Sequence, residues 1–483
     1  MTILANYIDG KLIAPLNDRY LPNVNPATGQ VYSQIPDSAS PDILQAIAAA
    51  KKAFPIWAKT TPAYRCEILL KIADLIEKNH EKLALAESID TGKPLHLALQ
   101  MDIPRAAANF RFFATALLHQ QDKSFQTNAQ VLNYTYRVPL GVVACISPWN
   151  LPLYLFTWKI APALAAGNCV IGKPSELAPM TAFLLSQLCI EAQLPAGVLN
   201  IVHGIGAKTG AFLVGHHDIK AVSFTGGTAT GAEIARIAAP SFKKLSLELG
   251  GKNPTIIFAD APYEQALETT LQSAFTNQGQ ICLCGSRIFV QKTIYEQFKH
   301  DFVKRTQHLK IGNPLDPQTQ IGAVISEKHK QKIESYIALA EKEGGVILTG
   351  GKKVIMLGEN ANGFFVAPTI IEGLSPQCSI NQEEIFGPVV TLQPFDTWQE
   401  VVEQANNTPY GLAANIWTTN LNTAHQVAHA LDAGVIWVNT WLMRDLRTPF
   451  GGMKASGVGR EGGFYALDFF SEEKNICLKI ENS

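Results

Sequence analysis

VVACISPWNLPLYLFTWKIAPALAAGNCVIGK (142–173) holds two short apolar runs, Val142–Ile146 and Cys169–Gly172, around a longer apolar stretch at 151–166. The short runs read as strands and the long one as a helix. The alternation continues with a helix at 180–192, a strand at Leu199–His203, a helix, a strand at Ala221–Phe224, a helix, a strand at Lys244–Leu249 and an apolar run at Thr255–Phe258. Parallel neighbours need a crossover long enough to hold a helix, so this pattern predicts a parallel sheet covered on both faces.

Upstream, Asp9-Gly10 between apolar residues 7 to 13 is a short-hairpin signal. Helices are expected from there to about residue 119: one capped by Ser40 with Pro41 at its first position and apolar residues at 43, 46, 47 and 50, and others over 62–79 and 97–118. Leu132, Tyr134, Tyr136 and Val138 alternate with polar residues, the period of a strand with one buried face. Downstream, a second strand-and-helix set covers about 262–450, and Asn475–Glu481 alternates again. The strands at 132–138 and 475–481 stand outside the main sheets. With no internal repeat and no low-complexity linker, the domains are expected to be interleaved and packed.

The chain has 483 residues, room for roughly three units of about 150 each. Hydrophobic residues make up 47% and charged ones 17%, which argues against disorder. Forty basic residues balance 41 acidic ones, with no polybasic run, so neither nucleic acid nor an anionic membrane is an expected partner. MTILANYIDG (1–10) lacks the features of a secretory signal, and the most apolar span, Ile160–Ile171, is interrupted by Pro162, Gly167 and Asn168. A cytoplasmic protein without a membrane span is expected. Eight scattered cysteines read as reduced thiols, and Cys282-x-Cys284 has neither the paired spacings nor the histidines of a zinc site, so no metal is expected.

Four local patterns invite chemistry, each with a plainer alternative. Gly204–Gly210 follows a strand but misses the dinucleotide spacing by one residue, and reads first as a Gly-rich turn. Phe224-Thr225-Gly226-Gly227-Thr228-Ala229-Thr230-Gly231 follows a strand and opens a helix whose N–H groups suit a phosphate, or is a simple turn. Cys282, after the polar turn Asn277–Gln280, is either a buried thiol or a nucleophile, given neighbours that lower its pKa from about 8.5. Glu248, in an otherwise apolar strand end, is either a paired structural carboxylate or a base.

In order along the chain, PWN (148–150), KPSE (173–176), FTGGTATG (224–231), LELGGK (247–252), NQGQIC (277–282), EEIFGP (383–388) and PFGGMKASGVGREGG (449–463) resemble the aldehyde dehydrogenase superfamily over essentially its full length. The resemblance implies an α/β fold with a Rossmann-like NAD-binding domain (1–119 and 139–250) and a related α/β catalytic domain (251–464). It also implies a small β bridging arm (120–138 and 465–483) that builds a homodimer or homotetramer and suits the two orphan strands. Cys282 then matches the nucleophile, Glu248 the general base, and Asn150 the amide that forms the oxyanion hole with the Cys282 N–H, while Cys284 is a spectator. Lys173 and Glu176 match adenosine-ribose contacts, and a carboxylate there would repel a 2′-phosphate, favouring NAD over NADP. Ile146, Trp149, Gly226, Gly227 and Gly231 match further cofactor contacts, and Glu384 and Phe386 those to the nicotinamide ribose and ring. Gly227 departs from the family, where many relatives place serine.

The chemistry requires these residue types. An aldehyde has no leaving group, so thiolate attack forms a hemithioacetal whose oxyanion collapses by expelling hydride, and the thioester left behind needs an activated water. Each oxyanion donor is worth about 10²–10³ in rate.

DIPRAAANFR (102–111) and VNTWLMRDLRTPF (438–450), with NQGQICLCGSRIFVQK (277–292), resemble the branch that oxidises 2-aminomuconate and 2-hydroxymuconate semialdehydes in tryptophan or aromatic-ring catabolism. There two arginines, matching Arg105 and Arg444, hold the substrate carboxylate by bidentate geometry. Arg111 and Arg447 are expected to be structural. Trp158, Trp441 and Phe450 supply an aromatic lining that also suits neutral aldehydes such as retinal, the competing expectation, and a catalytically silent homologue is the alternative from another class.

Overall fold

A computed structural model describes residues 1–480; the final residues of the expected arm, 481–483, lie outside the described residues. The alternation read from 142 onward builds an eight-stranded sheet. In spatial order its inner strands are Lys244–Glu248, Ile219–Thr225, Val142–Ile146, Cys169–Lys173 and Leu199–Ile201, all parallel. The chain enters at Val142–Ile146, winds outward twice, then crosses back to Ile219–Thr225. The order therefore reverses between these two strands, which opens a crevice at their carboxyl ends.

Burial explains the composition of this sheet. Every residue of Val142–Ile146 is buried, and so is every residue of the Pro152–Ala165 helix, which is apolar apart from Thr157 and Lys159 because the sheet covers one side and other helices the rest. Asn168 closes the turn between that helix and the next strand: its Oδ1 accepts from the N–H groups of Leu140 (2.7 Å) and Gly141 (3.1 Å), and its Nδ2 donates to the carbonyls of Ala163 (3.1 Å) and Phe470 (2.8 Å). The Asn6–Ile8 and Lys11–Ile13 hairpin turns through Asp9 and Gly10, both at positive φ, and is the antiparallel edge of the same sheet.

A second, seven-stranded sheet has the order Val346–Thr349, Thr369–Glu372, Val389–Phe395, Gly285–Gln291, Asn253–Ile257, Ala413–Trp417, Val435–Val438, parallel except at its first pair. Phe275, Phe298 and Phe302 stack in the cluster on one side of it, and Phe258, Phe289 and Phe395 belong to another cluster. The two strands read as outsiders pair with each other: Ser471–Lys479 lies antiparallel to Val131–Pro139, which also pairs with Ser124–Asn128, a strand the sequence pattern did not show.

Two helical expectations need correction. The first long helix, Ser40–Trp57, is not capped by Ser40, which lies inside its first turn; the Asp42 carboxylate accepts from Ala39 N–H (2.8 Å) instead. The span 97–118 is not one helix. Leu95–Leu97 leads into a wide π turn at Ala98–Asp102 before Ile103–Leu117. Pro104 cannot donate to the carbonyl four residues earlier, so the ladder changes register there.

Under this π turn Lys93, fully buried, pairs with Glu87 (3.4 Å) and with Asp102, both fully buried too. Glu87 also accepts from Leu153 N–H (3.4 Å), so the cluster ties the helix that begins at Ile103 to the start of the Pro152–Ala165 helix. Lys93→Met leaves two carboxylates buried without their cation. We expect a loss of about 3–5 kcal/mol of stability in urea denaturation.

Candidate active site

Cys282 reaches the crevice on a loop of unusual backbone. Asn277, Gln278 and Gly279 all have positive φ, and a Cβ at residue 279 would lie 2.2 Å from the Gly387 carbonyl oxygen. Buried amides hold this turn. Asn277 Nδ2 donates to the Asn150 carbonyl (3.0 Å), Asn150 Nδ2 to the Gln280 carbonyl (2.9 Å), and Gln278 Nε2 to the Ala323 carbonyl (2.8 Å). On the far side Asn253 Nδ2 donates to the carbonyls of both Cys282 (2.7 Å) and Cys284 (2.9 Å), while its Oδ1 accepts from Ala413 N–H (3.0 Å). The Cys282 N–H has no hydrogen-bond partner among the described residues. Asn150 sits two residues before the Pro152–Ala165 helix, so the crevice strand, the helix and the cysteine loop meet at one point.

A cleft of about 170 Å³ brings together Trp149, Asn150, Gly226, Gly227, Cys282, Glu384 and Phe386. Gly226 and Gly231 are demanded by packing, since a Cβ would meet the Phe224 ring or Leu249 at 2.4 Å; at Gly227 a Cβ would meet nothing, so the family's serine would fit. Glu384 accepts from Gly251 N–H (2.9 Å) and lies against Gly250, where a Cβ would be 2.4 Å from its carboxylate. Phe386 takes a positive φ and packs edge-on to Trp149, with ring centroids 5.4 Å apart. His329, which the sequence reading missed, fixes both: its ring contacts Trp149 at 5.3 Å and its Nε2 donates to the Phe386 carbonyl (2.7 Å). Burial pushes its imidazole down to about 4, so it stays neutral. Ile146 and Gly231 are buried and do not line this cleft. Lys173 and Glu176 form a separate pair (2.9 Å) beside Gly206, whose N–H donates to Glu176 (3.2 Å). Burial pushes the Glu176 carboxyl up, but Lys173 and that N–H outweigh it and hold it below its ordinary range.

Glu248 is buried and neither carboxylate oxygen has a hydrogen-bond partner. Burial first, then the charge of Glu461, pushes its carboxyl well above the usual range, against Lys159, Arg444 and Arg460. Lys159 and Glu461, a buried ion pair at 2.8 Å supported by Ser223 (3.1 Å from Lys159), were not singled out from sequence. A lysine inside an apolar helix was the available signal. Burial and the charges of Glu384 and Glu248 push the Cys282 thiol up, and Arg444 opposes them.

The substrate-side residues form an aromatic cage. Arg105 lies 5.3 Å from the Tyr154 ring centroid and 5.5 Å from that of Trp158; Arg444 lies 5.5 Å from Trp158 and 3.8 Å from Phe450. Neither arginine makes an ion pair among the described residues, and Arg105 Nη2 is buried without a partner. Arg447 and Arg111, in contrast, are paired with Asp445 (2.6 Å) and with Asp74 and Glu77 (3.0 and 2.8 Å). Tyr154, Phe450 and Trp441 pack in the same cluster as Cys282. Of the histidine and acidic groups among the described residues, His216, His217 and Asp218 lie close enough to share an ion, but they are remote from the cleft and Asp218 already pairs with Lys51 (2.9 Å).

Cys282 and Asn150 line the crevice at the carboxyl ends of the parallel strands, the place where open α/β sheets take a ligand, and Glu248 is not in its lining. The pattern of the aldehyde dehydrogenase family matches residues 14–476, and the chain belongs to that family. It is 50% identical over 480 residues to the 2-aminomuconic semialdehyde dehydrogenase of Danio rerio, covering 99% of this chain and 98% of that one. It is 45% identical over 486 residues to a 2-hydroxymuconic semialdehyde dehydrogenase of a Pseudomonas strain, covering 99% and 100%. The structure of an aldehyde dehydrogenase from Bacillus cereus in complex with NAD+ superposes with a TM-score of 0.97 at 40% identity, covering 99% and 97%.

Asn253 was not a sequence candidate, yet it bonds the backbone on both sides of the Cys282–Cys284 segment. Asn253→Asp puts a carboxylate against two carbonyls. We expect a loss of at least about 2 kcal/mol in denaturation and slower alkylation of Cys282 by iodoacetamide.

Proposed function

We propose that the protein oxidises a carboxylated semialdehyde, 2-aminomuconate 6-semialdehyde or 2-hydroxymuconate semialdehyde, to the dicarboxylic acid with NAD as the acceptor. The observation that carries the reading is the pair of guanidiniums without an ion pair among the described residues, Arg105 and Arg444, set against the rings of Tyr154 and Phe450, which pack in the cluster with Cys282. Both arginines are half-buried and Arg105 Nη2 is buried without a hydrogen-bond partner, and a substrate carboxylate is the partner that satisfies them.

The cleft residues fit the cofactor. Gly226 and Gly227 bare the backbone at the start of a helix, and the hydroxyls of Thr225 and Thr228 are buried without partners beside them. When bound, NAD supplies the hydride acceptor. Glu384 and Phe386 orient its nicotinamide end, and Lys173 and Glu176 its adenosine ribose.

Arg105 and Arg444 hold the carboxylate and present the distant aldehyde to Cys282. Arg444 also offsets the charges that push the thiol up, favouring the thiolate that attacks the carbonyl. The second hydrogen of Asn150 Nδ2 and the free Cys282 N–H donate to the oxyanion. After hydride loss the thioester is hydrolysed by water whose proton passes to a Glu248 carboxylate oxygen. Desolvation makes that carboxylate a stronger base, with Lys159 and Glu461 setting its field.

The exposed apolar side chains of the three-stranded arm, Phe125, Tyr136 and Leu478, support a homodimer or homotetramer. No described helix is long and apolar enough to cross a membrane. The eight free cysteines support a cytosolic setting, where thiols stay reduced.

In NAD-reduction assays, Arg444→Ala should raise KM at least about tenfold for 2-hydroxymuconate semialdehyde and leave KM for a neutral aldehyde nearly unchanged, while the charge lost beside the thiol lowers kcat for both. Equal effects on KM would transfer the reading to neutral aldehydes. Glu248 acts as a base when deprotonated, so the rate should fall as pH drops through a midpoint above the ordinary carboxylate range. Glu461→Gln removes a charge that raises this midpoint and frees Lys159, which lowers it. The acidic limb of the kcat–pH profile should therefore move to lower pH.

A further inference from the structure

Both arginines of the cage are tied to one residue, Tyr154. Arg444 Nη1 donates to its phenol oxygen (3.0 Å). Arg105 Nε donates to Asn109 Oδ1 (3.2 Å), and Asn109 Nδ2 donates in turn to the Tyr154 carbonyl (3.0 Å) and to Thr157 Oγ1 (3.0 Å). The Tyr154 ring also lies under Arg105 at 5.3 Å. Tyr154 is itself buried, one helical turn before Trp158 on the Pro152–Ala165 helix, so the reference point is rigid. Its partners are chosen for charge. Aspartate or glutamate at these positions would orient the guanidiniums equally well but would neutralise them, whereas a phenol and an amide orient them and leave both charges free. The phenol accepts from Arg444 and donates to no acceptor among the described residues, so its hydrogen is available.

We propose that Tyr154 is a specificity-determining residue for anionic aldehydes: it sets the spacing of Arg105 and Arg444 and donates its own O–H to the carboxylate end of the substrate. This rests on the reading of a carboxylated substrate given above. Tyrosine at 154 therefore does what phenylalanine, with the same ring, would not.

The test compares wild-type enzyme, Tyr154→Phe and Arg444→Ala on two conjugated six-carbon aldehydes, 2-hydroxymuconate semialdehyde and 2,4-hexadienal, which lacks the carboxylate. Tyr154→Phe keeps the ring under Arg105 and should raise KM for the semialdehyde about tenfold, with kcat for it and both constants for hexadienal within about twofold. That split is not what a loosened structure produces, because a structural defect would move both substrates together. Unchanged constants, or equal changes on both aldehydes, while Arg444→Ala remains selective, would overturn the role of Tyr154 and leave the arginine clamp standing. Loss of selectivity in Arg444→Ala as well would overturn the clamp itself. Should Tyr154→Phe not fold, Asn109→Ala, which frees Arg105 from the Tyr154 carbonyl, carries the same test: a selective rise in KM for the semialdehyde supports the proposal, and an unselective one overturns it.

Discussion

The turn at Asn277–Gln278–Gly279 is the constraint on which the site depends. Left-handed backbone costs a non-glycine residue about 1–2 kcal/mol, and here two such residues are adjacent. The cost is offset by side-chain amides that bond the backbone across the gap between the two large sheets. Because Asn150 follows a strand of the eight-stranded sheet and Asn253 begins a strand of the seven-stranded one, the cysteine loop is fixed relative to both sheets at once.

Around this fixed point the electrostatics are unbalanced in a patterned way. A buried carboxylate without a hydrogen bond (Glu248) and half-buried guanidiniums without ion pairs (Arg105, Arg444) are unusual in a folded protein. Glu248 and Arg444 both act on the Cys282 thiol, and neutral Tyr154 and Asn109 hold the two arginines. The buried ion pairs join separate elements: Lys159–Glu461 ties the Pro152–Ala165 helix to the Phe450–Glu461 bridge, and the Lys93 cluster ties helices together.

Much of the fold was legible because it obeys periodicity. The parallel strands at 142–146, 169–173 and 219–225 are apolar runs of strand length, and the arm strand at 131–139 alternates in sequence, although none of it is buried and Tyr136, on the face expected to be covered, is exposed. Ser124–Asn128 was not legible, since all of its residues are exposed and no burial pattern marks it. The π turn before Ile103 was hidden because a register change of one hydrogen bond leaves the apolar spacing nearly intact. Among the candidate site residues, motifs point to Cys282, Glu248 and Asn150, while His329, Asn253 and Tyr154 carry no such mark. Each of those three acts by a bond to a residue far away in sequence, and no local spacing records such a bond.

The Pro152–Ala165 helix carries Tyr154, Trp158 and Lys159, and follows Asn150 directly. Each residue of a helix turns the next by about 100°, so inserting or deleting one position would swing the cage tyrosine, the indole and the buried lysine off their targets together. Length variation is thus closed to this element. A lineage that explores new aldehydes has to do so by exchanging side chains at fixed positions here, or by remodelling the irregular 439–449 segment that brings Arg444, where insertions disturb no shared axis.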